Sequence, residues 1–87
     1  MIFAREIRAG RALLGWSQLE LAEAASVGVA TVRRLESAHT QIRGSVESVW
    51  KIQQALEAAG VEFIPDDGGR GAGVRLKKSS KARTKKL

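Results

Sequence analysis

The sequence predicts a mainly α-helical domain, a bundle of four to five short helices closed by a C-terminal β-hairpin. Three observations carry this. Apolar residues recur at intervals of three and four along most of the chain, the period of a helix face. Glycine and serine stand where such stretches begin and end. After Gly60 the period drops to two, and Asp66-Asp67-Gly68-Gly69 interrupts it as a turn would.

The first helix is expected from about Ile2 to Leu14. Phe3, Ile7, Gly10 and Leu14 share one face, while Arg5 and Arg8 fall off it and should be solvated. Gly15 follows as a C-cap would. The second helix has the clearest start. Ser17 is an N-cap with Glu20 three residues on, a capping box, and Trp16 and Leu21 stand where a hydrophobic staple places them. Leu21, Ala22 and Ala25 point inward, and the small alanines allow close approach of another helix. Ser26-Val27-Gly28 breaks the pattern, with Val27 plugging the core. The third helix runs from Val29 to about Ser37, with Val32 and Leu35 inside and Thr31, Arg33 and Arg34 outside.

Residues 38–44 read as a loop. Ser45 caps a fourth helix from Val46 to Ala59, with Val49, Ile52, Leu56 and Ala59 as its inner stripe. Val61 to Ile64 is a strand, and Val74-Arg75-Leu76 is its returning partner. A lone hairpin is unstable in water, so it must pack on the fourth helix or pair with a second subunit. The organisation expected is therefore a helical bundle over 1–60, a hairpin over 61–76 that either packs on the bundle or serves as a dimerisation element, and a disordered basic tail over 77–87.

Charge and composition narrow the function. The net charge is +6, from 15 Lys and Arg against 9 Asp and Glu. Six of the cations (Lys77, Lys78, Lys81, Arg83, Lys85, Lys86) sit in the tail, so the rest of the chain is neutral. Within that neutral part the charge is ordered. Arg33, Arg34, Arg43 and Lys51 stand against Glu36 and Glu47, whereas Glu57, Glu62, Asp66 and Asp67 form a segment without a base. One end is basic, as expected if it faces phosphate. The absence of cysteine excludes disulfides and thiolate metal sites. His39 alone builds neither a metal site nor a catalytic one, and Ser17 lacks the His and Asp of a nucleophile. Gly68-Gly69-Arg70-Gly71 lacks the Lys-Ser/Thr of a phosphate-binding loop. No catalytic residue, cofactor or metal is expected. No apolar run approaches a membrane span, and no leader pattern is seen, so a cytoplasmic protein is expected.

Two short helices joined by a three-residue turn suggest a helix-turn-helix. The residues also resemble the Cro/phage-repressor (XRE-type) helix-turn-helix regulators over about residues 5–64. Gly15-Trp16-Ser17-Gln18-Leu19-Glu20-Leu21-Ala22 is similar to that family's second helix. Thr31-Val32-Arg33-Arg34-Leu35-Glu36 is similar to its recognition helix, and Val49, Ile52 and Leu56 with Ala58-Ala59-Gly60-Val61 to its fourth helix. Some short bacterial members also end in a Val-Glu-Phe-Ile strand and a Gly-rich turn. The resemblance implies a lambda-repressor-like bundle that binds an operator in double-stranded DNA.

It also implies roles. Gln18 reaches a phosphate from the first turn of the second helix. Arg11 and Glu36 form a structural pair between the first and third helices. Val29, Ala30 and Arg34 fall where the family reads bases: Arg34 suits guanine O6 and N7, and Val29 and Ala30 suit thymine methyls. Arg33 is a second base reader or a phosphate clamp. Thr31 bonds phosphate, and His39, Thr40 and Arg43 lie in the loop that meets the backbone. Three positions depart from the family: Ser26 stands for its turn glycine, Gly28 for its Ser/Thr cap, and Ala38 for the glycine after the recognition helix.

The function expected is a transcription regulator, a repressor or a dual repressor and activator, that binds an inverted repeat as a homodimer. The rival reading is an adaptor such as an antitoxin, with a polymerase or toxin-like protein as partner. Leu19, Trp50 and the Val61–Ile64 strand would serve it. The tail is either a solubility device or an arm that adds non-specific DNA affinity.

Overall fold

The computed structural model describes residues 4–37 and 46–77. Its elements follow in the order α1 (Ala4–Leu14), α2 (Gln18–Ala25), α3 (Val29–Glu36), α4 (Val46–Ala58), β1 (Val61–Ile64) and β2 (Gly73–Leu76). The mainly α bundle with its terminal hairpin is therefore present. The boundaries shift by a residue: α3 stops at Glu36 with Ser37 as its cap, α4 stops at Ala58, and β2 starts one residue early at Gly73. Residues 1–3, 38–45 and 78–87 lie outside the described residues, and with them the loop expected over 38–44, the Ser45 cap and most of the basic tail.

One core joins all the elements. Ile7, Leu21, Val32, Leu35, Ile52, Leu56 and Val61 are fully buried. Leu14, Trp16, Val27, Phe63, Val74 and Leu76 pack around them. The hairpin is thus a wall of the bundle rather than an appendage. β1 and β2 pair antiparallel, with Val61 opposite Leu76 and Phe63 opposite Val74. Glu62 and Arg75 face each other on the outer side, 3.0 Å apart, and the Arg75 guanidinium holds the Glu62 carboxyl below its usual range. The Lys77 backbone N–H donates to the Gly60 carbonyl at 2.7 Å and closes the hairpin's open end.

Gly10 explains how α1 reaches that core. A Cβ there would lie 3.3 Å from Leu56 Cδ1 and 3.6 Å from Val61 Cγ1. The helix backbone itself is the packing surface at this point.

Two corners of the bundle use one device. At the end of α1, Trp16 N–H donates to Arg11 O and Gly15 N–H to Ala12 O. At the end of α2, Val27 N–H donates to Ala22 O and Ser26 N–H to Glu23 O. Both are Schellman motifs, which need a left-handed residue at the bend. Gly15 takes φ 70° there and Ser26 takes φ 60°. Glycine adopts this without cost, whereas serine carries a Cβ into a region that costs about 1–2 kcal/mol.

Candidate nucleic-acid interface

The α2–turn–α3 unit is built from the Ser17 end. Ser17 Oγ accepts from Glu20 N–H at 3.0 Å, and Glu20 Oε1 accepts from Ser17 N–H at 2.7 Å, so the capping box is complete. It leaves the N–H groups of Gln18 and Leu19 outside the box, at the positive end of the helix dipole. Leu21, Ala22 and Ala25 bury the inner side of α2.

α3 has two sides. Val32, Leu35 and Glu36 are buried. Ala30, Arg33 and Arg34 are exposed, and their spacing of three and four residues places them on one face. Neither arginine has an ion-pair partner among the described residues. Thr31 is half-buried. Val29 is half-buried too and packs against the core, so it turns less fully outward than Ala30. Gly28 caps α3 through its carbonyl alone, accepting from Thr31 N–H at 3.0 Å, with no side-chain cap. His39, Thr40 and Arg43 lie outside the described residues.

The far end of α3 is held by α1. Arg11 Nε donates to Glu36 Oε2 at 2.8 Å and Arg11 Nη2 to Glu36 Oε1 at 3.0 Å, a two-pronged pair. This contact raises the Arg11 pKa above its usual value. Arg11 Nη1 also donates to the Trp16 carbonyl at 3.0 Å. Gln18 Nε2 donates to Glu36 Oε1 at 3.0 Å, so α2 joins the same carboxylate. Arg8 donates to the Glu36 backbone carbonyl.

Two of these contacts add to the sequence reading. Gln18, expected at a phosphate, spends one amide N–H inside the protein and keeps a second. Arg8, expected to be solvated, is exposed yet clamps a carbonyl at the end of α3. The signal for Arg8 was its spacing of three from Arg11, which puts both on one side of α1. Burial of Glu6 inside α1 was also missed, because periodicity marks apolar faces and says nothing of a carboxylate beside one.

A short helix held at its far end by Arg11 and Arg8, with cations on its outer face that have no ion-pair partner among the described residues, is what a duplex groove accepts. Fold and surface together define a DNA-binding helix-turn-helix regulator. The chain belongs to the Cro/C1-type (XRE) helix-turn-helix family, whose model, described as helix-turn-helix, matches residues 7–58, more than half of its length. No curated protein is similar enough to count as a relative. Among the described residues no helix is long and apolar enough to cross a membrane.

Proposed function

We propose that the protein is a transcription regulator that binds an inverted-repeat operator as a homodimer and represses where that site overlaps a promoter. The single observation that supports this most is the outer face of α3, where Ala30, Arg33 and Arg34 are exposed together and the arginines have no ion-pair partner among the described residues. Arg34 reads guanine, Ala30 and the outer edge of Val29 meet thymine methyls, and Arg33 reads a base or clamps phosphate. Gln18, Thr31, His39, Thr40 and Arg43 bind phosphate. Two copies of α3 then enter successive major grooves, ~34 Å apart. The basic residues after Lys77 add affinity for any duplex.

Selection of bound duplexes from a random pool tests this directly. A two-fold symmetric consensus that depends on Arg34 is the expected result. Enrichment that is unchanged in Arg34→Ala would refute base reading by α3.

Leu19 supports a second reading. It is a large apolar side chain, 54% exposed beside the DNA-facing end of α2, and would suit contact with polymerase or another protein.

A further inference from the structure

Three large apolar side chains are exposed among the described residues, and two of them, Val46 (68%) and Trp50 (58%), lie one turn apart on α4. Beside Trp50 is an apolar groove of about 240 Å³ lined by Val46, Val49 and Gln53. On the other flank of Trp50, Glu47 and Lys51 pair along the helix at 3.5 Å, Glu47 exposed and Lys51 half-buried. The face is thus a projecting indole between two hollows, this one and, beyond Lys51, a groove of about 380 Å³ lined by Ala24, Ala25, Gln54, Ala55 and Ala58, with a charge of each sign beside it.

We infer that this face is the contact between two copies of the chain, formed by α4 lying antiparallel on α4 of a second copy. A two-fold contact must use the same surface twice, so each feature needs its complement within the same patch. This patch meets that condition. With the axis passing near Val49, Trp50 of each copy enters the groove of the other, over Val46 and Val49. The same register sets Glu47 of each copy against Lys51 of the other, so the two intrahelical pairs exchange partners across the contact. Parallel packing would instead set like charges level with each other. A central tryptophan ringed by polar groups is the usual anatomy of an energetically dominant contact.

The inference names the contact that joins the two subunits proposed above and rests on that reading. Its test is therefore made without DNA, by sedimentation of the full chain across micromolar concentrations. The parent chain is expected to show a concentration-dependent dimer. Trp50→Glu should weaken dimerisation about 30-fold or more, the scale of a lost central tryptophan. Glu47→Lys and Lys51→Glu should each weaken it as single variants and dimerise when mixed, because the mixture restores both opposite-charge pairs. Circular dichroism checks that each variant keeps its helices. A parent chain that stays monomeric, a Trp50→Glu chain that dimerises like the parent, or a mixture that fails to recover overturns the proposal. In those cases the face belongs to a different protein, or the hairpin joins the subunits. Loss of operator selectivity in Arg34→Ala, measured separately, leaves this result untouched.

Discussion

Arg11 and Glu36, 25 positions apart, meet through two hydrogen bonds of 2.8 and 3.0 Å, with the Glu36 side chain only 4% exposed and that of Arg11 22% exposed. The pair ties α1 to the end of α3, and Gln18 brings α2 to the same carboxylate. A charge so buried is costly without its partner. Arg11→Ala should destabilise the fold by about 3 kcal/mol, because it strands the carboxylate. Replacing both residues by Met should cost far less, since no charge is then left behind. Urea titration of Arg11→Met, Glu36→Met and the double variant measures the coupling, and additive effects would show that the pair contributes little.

Ser26→Gly should stabilise the protein. Ser26 holds φ 60° in a motif that Gly15 satisfies freely at α1. The gain expected is about 1 kcal/mol, reduced somewhat by the added freedom of glycine in the unfolded chain. In a domain of this size that raises Tm by about 5 °C. Thermal unfolding followed by circular dichroism reads it, and an unchanged or lower Tm counts against strain at the turn.

Arg34→Ala should lose about 1–3 kcal/mol of discrimination at one base pair of each half-site. Its affinity for unrelated duplexes should fall much less. Arg33→Ala separates the two roles left open for that residue. A loss confined to one base position marks a reader, and a uniform loss with a shallower salt dependence marks a phosphate clamp. Gel shifts over a panel of single-substitution duplexes at fixed salt distinguish them.

Removal of residues 78–87 should weaken binding to all DNA and leave site preference intact. The cut belongs after Lys77, because its N–H closes the hairpin on Gly60. Five cations are lost, and each that meets a phosphate contributes about 0.9 to the slope of log affinity against log salt. A slope that does not change would show that the tail avoids the duplex.

Much of this architecture was legible in the residues. Ser17 and Glu20 announce the start of α2 because a capping box is local, and the alternation around Phe63 announces β1 for the same reason. The outer face of α3 was legible too, since a helix places every residue by its spacing from Val32 and Leu35. What escaped was long-range and polar. Arg8 lies outside the apolar stripe, yet it reaches a carbonyl 28 positions away. Gln18 was assigned outward on its family position, and only the folded packing of α3 shows a carboxylate within its reach. Neither contact leaves a trace in periodicity, which records the burial of carbon.

The two left-handed bends at Gly15 and Ser26 bound α2 with the same pair of backbone hydrogen bonds. Such elbows accept changes of letter far better than changes of length. One extra residue in the first turn of α3 would advance every later side chain by about 100° around the helix axis. Arg34 would take the buried place of Leu35, and Val32 the exposed place of Arg33. The reading surface is therefore kept in phase by counting, and a frame-preserving insertion there would silence the protein more completely than the loss of any one arginine.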